Sequence, residues 1–179
     1  VYAITALGYG GSFIAFTYLA PILQEVAGFA PSSVGLVMLV YGVSVAFGNI
    51  WGGRMADRYG PVRALQVVFA LLALVLLALT FTAASPVLVV ATVLAWGAVA
   101  FGNVPGLQVY VVQRAERDAP HAVDVASGLN IAAFNVGIAI GAWGGGLVVT
   151  HFGLMATPWI GALVVTGALG LTTLAGWLD

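Results

Sequence analysis

Apolar residues run through this chain in long unbroken stretches, interrupted by polar residues at only a few places. The segment Leu71-Leu72-Ala73-Leu74-Val75-Leu76-Leu77-Ala78-Leu79 contains no polar position. It lacks the two-residue alternation of a membrane-barrel strand and reads as a helix apolar on every side. Charged side chains divide the stretches: residues 1–24, 26–53, 64–113 and 125–178 carry none. A helix needs about 20 apolar residues to cross a bilayer, so the first two runs hold one span each and the last two hold two each. The third run breaks at Ala83-Ala84-Ser85-Pro86, a Ser N-cap followed by Pro at the first helical position. Thr157-Pro158 repeats that signal in the fourth run, and Pro31-Ser32-Ser33 opens the second helix similarly. The pattern predicts an all-α integral membrane protein with six helices, over 1–23, 33–53, 64–83, 86–113, 125–150 and 158–178.

Composition agrees with that reading. Hydrophobic residues make up 62% of the 179 and charged residues 6%, against about 25% charged in a soluble domain; the mean hydropathy is +1.11. A solvated globular surface and a disordered chain are both excluded. The net charge of −1 and the absence of any basic stripe exclude nucleic acid as a partner. With no cysteine, disulfides, thiolate metal sites and cysteine nucleophiles are excluded. His121 and His151 stand alone in predicted loops, so neither a metal site nor a cofactor is expected.

The five cations are all arginines: Arg54, Arg58 and Arg63 between the second and third spans, Arg114 and Arg117 between the fourth and fifth. In a six-helix serpentine these two connections fall on one side, which the positive-inside rule makes cytoplasmic. The prediction is a multi-pass protein of the cytoplasmic (inner) membrane with both termini on the cytoplasmic face. Val1 already stands inside a hydrophobic run, with no charged segment before it and no signal-peptide pattern. The chain is therefore expected to be cut from something longer.

Shifting the chain by 93 residues lays the second span on the fifth. Gly35-Leu36 meets Gly128-Leu129, Tyr41 meets Phe134, Val43 meets Val136, Ala46 meets Ala139, Gly48 meets Gly141, and Gly52-Gly53 meets Gly145-Gly146. The first and fourth spans rhyme more loosely, Phe16 to Pro21 against Phe101 to Pro105. Two three-helix units are expected, about 1–84 and about 85–179. An odd helix count per unit inverts the second in the membrane, a pattern of secondary transporters.

Polar groups inside a bilayer are costly and point to function. No Asp, Glu or Arg falls deep in a predicted span. The interior polar set is Tyr18, Ser44, Asn49, Asn103, Gln108, Asn130 and Asn135, and Asn103 and Gln108 bracket Pro105, which frees a carbonyl and favours a broken, cavity-lining helix. The plainer alternative for each amide is a hydrogen bond between helices. Phe16, Trp96, Phe101 and Phe134 can add an apolar wall. At 100° per residue Asn130, Phe134, Gly137, Gly141 and Gly144 share one face, whose glycines let another helix approach closely. Gly8-Tyr9-Gly10-Gly11-Ser12 lacks the strand and Lys of a phosphate loop.

Several blocks resemble one family. Gly53-Arg54-Met55-Ala56-Asp57-Arg58-Tyr59-Gly60 resembles the G-x-x-x-D-R-x-G loop of the major facilitator superfamily, although Pro61 and Val62 stand where the family has basic residues. Gly137-x-x-x-Gly141-Ala142-x-x-Gly145-Gly146 resembles its antiporter motif, with Ala142 for proline; in the family that motif belongs to the N-terminal half, so here it reads as an echo of the repeat. Four blocks, Phe16-Thr17-Tyr18-Leu19-Ala20-Pro21-Ile22-Leu23-Gln24, Gly48-Asn49-x-x-Gly52-Gly53-x-x-Ala56-Asp57-Arg58, Val104-Pro105-x-Leu107-Gln108 and Gly128-Leu129-Asn130-Ile131-x-Ala133-Phe134-Asn135-x-Gly137, span nearly the whole chain and are similar to bacterial drug:proton antiporters of the arabinose-efflux-permease-like group. The resemblance implies the C-terminal half of a twelve-helix major facilitator fold. Its first and fourth spans would line a central cavity, and its second and fifth would pack on the other half.

The leading expectation is therefore half of a proton-coupled exporter of small organic molecules, and not an enzyme. Tyr18, Phe16, Asn103, Gln108, Asn130 and Phe134 would bind substrate, and Gly53, Asp57, Arg58 and Gly60 would form a gating loop. Gly48, Gly137, Gly141 and Gly145 would serve helix packing, with the glycine faces turned to the missing N-terminal half. That half would carry the protonatable carboxylate. The expected partners are the lipid bilayer, the small-molecule substrate, protons and the missing half. A self-contained six-helix transporter acting as a homodimer and an intramembrane hydrolase are the alternatives; for the latter, Gly10-Gly11-Ser12-Phe13 breaks the required G-x-S-G box.

Overall fold

A computed structural model of the chain describes residues 1–178; Asp179, the last of the charges, lies outside them. The described residues form seven α-helices: α1 (Tyr2–Phe16), α2 (Leu19–Pro21), α3 (Pro31–Tyr59), α4 (Pro61–Thr82), α5 (Pro86–Asp118), α6 (Val123–Phe152) and α7 (Ala156–Leu178). A π-turn, Ile22–Val26, follows α2, and a short 3-10 turn, Pro120–Ala122, precedes α6. Six stretches are long and apolar enough to cross a membrane, the first being Tyr2–Val26.

Prolines and glycines set the ends. Pro31, Pro61 and Pro86 each stand at the start of their helix, where a missing N–H costs nothing. Gly60 (φ 82°) and Gly153 (φ 85°) turn the chain after α3 and α6 in a backbone conformation that side chains disfavour. Thr157 does not open the last helix as expected. The helix begins at Ala156, and the Thr157 hydroxyl donates to the Leu154 carbonyl at 2.9 Å.

Two expectations about the spans are corrected. The second span does not end at 53 but continues through Arg54, Asp57 and Arg58 to Tyr59, and the fourth continues past 113 to Asp118. A charge marks where a helix leaves the hydrocarbon, not where it stops; α3 ends only at Gly60-Pro61. The first span is not one regular helix. Pro21 has no N–H to give the Thr17 carbonyl. The chain adapts with a tight turn, Tyr18 N–H to Ala15 O at 3.0 Å, and then a widened one, Ala27 N–H to Ile22 O at 3.1 Å.

α1 and α5 are the two central helices. α1 packs on α6 and α7, α5 packs on α3 and α4, and α4 packs on α7. Exchanging α1 with α5, α3 with α6 and α4 with α7 leaves this set of pairs unchanged. Leu65, Phe69, Leu72, Leu76 and Leu79, spaced four and three along α4, lie in the core with Val89, Val93 and Trp96 of α5. The outer faces stay apolar, with Phe47, Phe81, Trp143 and Leu163 all exposed. In a bilayer such faces meet lipid.

The tightest contacts run backbone to backbone. The place of a Cβ on Gly48 and Gly52 of α3 is filled by the carbonyl oxygens of Ala98 and Gly102 of α5. On α6, Gly137, Gly141 and Gly145 meet the backbone of Ala6, Gly10 and Ile14 on α1, the last with its oxygen 2.7 Å from the Cβ place. Both series step by four on each helix and in the same direction, so α3 is parallel to α5 and α6 to α1. These glycines therefore face inward, across this bundle, rather than toward an absent half. Gly144, expected on the same face, has open space around it, and Gly145 takes the contact. The parallel arrangement gathers Arg63 and Arg117 at one end of the bundle, with Tyr59 and Trp177 beside them.

Substitution should separate these glycines from the others. Gly52→Ala and Gly145→Ala should lower stability by about 1–3 kcal/mol, because a methyl group meets backbone that has no rotamer to yield. Gly35→Ala and Gly128→Ala, with nothing within 4 Å, should be neutral or gain up to about 1 kcal/mol of helix propensity. Thermal unfolding in detergent measures both; equal effects in the two pairs would contradict the packing.

Candidate functional site

The most functional-looking cavity lies where α1, α3, α5 and α6 converge. It has a volume of about 290 Å³ and is lined by Thr5, Tyr9, Asn49, Phe101, Val104, Leu107, Gln108, Asn130, Ile131 and Phe134. Among the described residues, none that lines it is charged. Small-molecule sites are commonly concave and apolar with a few fixed polar groups, and this one has that composition.

Its polar side is a hydrogen-bond chain across three helices. The Thr5 hydroxyl on α1 donates to Asn130 Oδ1 on α6 at 2.6 Å, and Asn130 Nδ2 donates to Gln108 Oε1 on α5 at 3.4 Å. Asn130 is buried and Gln108 half-buried. With its oxygen engaged, Gln108 presents its amide nitrogen as a donor at the wall. Asn49 donates from Nδ2 to its own helix, to Val45 O at 3.1 Å, which leaves its amide oxygen as an acceptor on the α3 side.

The aromatic side is built on Tyr9. Its ring meets Phe134 edge to face, centroids 4.0 Å apart, and Phe101 at 6.2 Å, also edge to face. A second aromatic group lies apart from the cavity: the Phe16 ring is tilted against Tyr41 at 4.9 Å and meets Trp96 edge to face at 5.9 Å. Fully buried Trp96 donates from its indole nitrogen to the Ser12 hydroxyl at 3.1 Å.

Of the six residues expected to bind substrate, the structure brings Gln108, Asn130 and Phe134 together at the cavity. Phe16 belongs to the second aromatic group. Tyr18 lies against Gly145 and Gly146 of α6, at the break in the first span. Asn103 is fully buried in the core beside Gly102, and neither of its amide atoms has a hydrogen-bond partner. It does not line the cavity, because residues 103 and 108 stand about 140° apart around the helix at 100° per residue. Thr5 and Tyr9 were missed by the sequence reading. Their one signal was an i, i+4 spacing of polar atoms early in an otherwise apolar run.

The expected gating residues lie at the end of α3. Gly53 is half-buried, 3.8 Å from Pro105 at the place of its Cβ. Asp57 and Arg58 are exposed, and the Arg58 guanidinium sits 5.3 Å over the Tyr59 ring. Ser12 and His151, the pair a hydrolase would need, have other partners: Ser12 holds Trp96, and the exposed His151 bonds its own helix at Leu147 O, 2.8 Å.

Comparison with known proteins agrees with this architecture. The family model described as Major Facilitator Superfamily matches residues 1–178. The MFS-type transporter YtbD of Bacillus subtilis (strain 168) is 52% identical over 177 residues, 99% of this chain and 44% of that protein. The inner membrane transport protein YdhP of Escherichia coli (strain K12) is 36% identical over 166 residues, covering 92% of this chain and 41% of YdhP. The probable sugar efflux transporter of Haemophilus influenzae (strain PittGG) is 30% identical over 171 residues, 96% of this chain and 41% of that one. The chain thus spans less than half the length of the curated relatives it matches. A bundle of six apolar helices with this match along its whole described length belongs to the major facilitator superfamily.

Proposed function

We propose that this chain is the C-terminal half of a twelve-helix secondary transporter that exports small organic molecules against an inward flow of protons. The observation that carries the reading is the uncharged cavity with a hydrogen-bond donor at Gln108, an acceptor at Asn49 and the aromatic wall of Tyr9, Phe101 and Phe134. Such a wall suits an uncharged or weakly polar organic solute with both a donor and an acceptor. A sugar-like molecule or a hydroxylated aromatic drug has those groups. The printed description of the Haemophilus relative, a sugar efflux transporter, points the same way.

Residues about 1–84 and about 85–179 are two inverted repeats in this proposal. The exchange symmetry of the helix pairs supports it, as does the match of Gly48 and Gly52 to Gly141 and Gly145 in both sequence and packing. The end that carries the arginines faces the cytoplasm. Gly53, Asp57, Arg58 and Gly60 form a gating segment at that end, and Gly60 supplies its turn. No carboxylate is among the described residues that line the cavity, and the proposal assigns the proton site to the other half of the transporter. The two halves rock about a site near the midplane.

Three measurements test the reading. In proteoliposomes holding the full-length protein, Gln108→Ala should weaken transport roughly threefold to tenfold, the worth of one hydrogen bond to solute, and Asn130→Ala, which releases the Gln108 amide it holds, should weaken it as well. Unchanged transport in both would remove the cavity from the mechanism. Thr5→Val should unhook Asn130 and lower stability by about 1–3 kcal/mol, since a buried amide oxygen loses its donor; an unaltered unfolding midpoint would contradict this. Imposing a pH gradient should drive solute transport and an ionophore should abolish it. Gradient-independent transport would overturn proton coupling while leaving the cavity in place.

A further inference from the structure

A second cavity has a different character. It has a volume of about 530 Å³ and lies at the arginine-bearing end, where α4, α5 and α7 meet. Arg63 and Arg117 line it, together with Gln66, Gln113, Tyr59 and Trp177. Both arginines are exposed, and no Asp or Glu is among the described residues of its wall. Asp118 turns elsewhere and pairs with Arg114 at 3.3 Å. Arg58, held over the Tyr59 ring, adds a third cation nearby. Among the described residues, two cations and two side-chain amides with no carboxylate line this cavity, a donor set that suits an oxyanion.

The surface next to this cavity decides which oxyanion. Between α4 and α7 runs an apolar groove of about 440 Å³, lined by Ala70, Ala73, Leu74 and Leu77 on one side and by Trp159, Leu163, Thr166 and Leu169 on the other. Val62, Gln66, Ala70, Ala73 and Leu77 lie on one face of α4 at 100° per residue. Thr166, Leu163 and Trp159 share a face of α7 with Trp177. The cationic cavity and the groove are therefore consecutive along the same face of the helix pair. Eleven residues separate Gln66 from Leu77, about 16 Å at 1.5 Å per residue, or one leaflet of a core about 30 Å thick. Trp177, 84% exposed, stands at the level where indoles mark the membrane interface. A free phosphate ion would use the cavity and leave the groove unexplained. A phospholipid uses both.

We propose that this face binds an anionic phospholipid, its phosphodiester headgroup held between Arg63 and Arg117 and one acyl chain lying in the α4–α7 groove. The site is separate from the solute cavity, and basic pockets between spanning helices on the cytoplasmic side suit such headgroups.

The test is lipid retention by the full-length protein in detergent doped with either phosphatidylglycerol or phosphatidylcholine, read by native mass spectrometry. It needs no transport, so its failure is distinct from failure of the exporter reading. Phosphatidylglycerol should be retained over phosphatidylcholine by roughly fivefold or more. The pair Arg63→Gln with Arg117→Gln should abolish the preference, and Arg63→Lys with Arg117→Lys should keep most of it, which separates charge from folding. Thr166→Phe fills the groove from its exposed side and should reduce phosphatidylglycerol retention with both arginines intact. Inorganic phosphate should not displace the lipid. Equal retention of the two lipids, or a preference that survives the glutamine pair, would overturn the proposal. Displacement by inorganic phosphate together with an unaffected Thr166→Phe variant would also overturn it, in favour of a site for free anions.

Discussion

The contact of helix backbone on helix backbone at four-residue intervals organises this bundle. Lipid tails are as apolar as leucine, so burying side chains gives little drive for one span to leave lipid for another. What remains is close packing. Glycine supplies it at Gly48 and Gly52 against α5, and at Gly137, Gly141 and Gly145 against α1. Each series draws a peripheral helix onto a central one and makes the two run parallel. The result is a pair of clasped units, α3 on α5 and α6 on α1, joined where α4 meets α7.

The cavity follows from those clasps. Because α6 lies so close to α1, Asn130 can reach Thr5 at 2.6 Å, and Phe134 can stand 4.0 Å from Tyr9. Gln108 and Phe101 come from α5, and Asn49 from α3 beside it. The polar groups are economically placed. Hydroxyls elsewhere in the spans mostly bond their own helix, as Thr166 and Thr172 do to Ala162 O and Ala168 O. The side chains that bond across helices are few, and one such chain borders the cavity. The charged groups are kept to the ends, where they can order lipid rather than handle solute.

The glycine pattern shows where sequence reasoning stopped. The match of 48 and 52 to 141 and 145 was legible from a 93-residue shift. The direction those glycines face was not, because a smooth helix face fits an internal neighbour and an external partner equally well. The central helices show the same limit. Phe16 to Pro21 looked like the counterpart of Phe101 to Pro105, an offset of 84 or 85. Packing pairs Gly10 with Gly141 and Ala98 with Gly48, and Ile14 with Gly145 and Gly102 with Gly52, an offset of 88. Asn103 looked like a cavity residue because it neighbours Pro105, yet it points to the core.

The sequence by itself determined the solvent, the number of spans, the shared side of the arginines and the family resemblance. These depend on run length, charge position and local motif, all properties of the chain taken in order. Tertiary structure alone decided which amides meet. Thr5 and Asn130 are 125 residues apart, and their contact depends on a backbone approach that no local pattern encodes. It also decided that the cationic cavity and the groove between α4 and α7 lie along one face of that helix pair. Partners of that kind are chosen by how helices pack, and helix packing is a relation between segments rather than a property of any one of them.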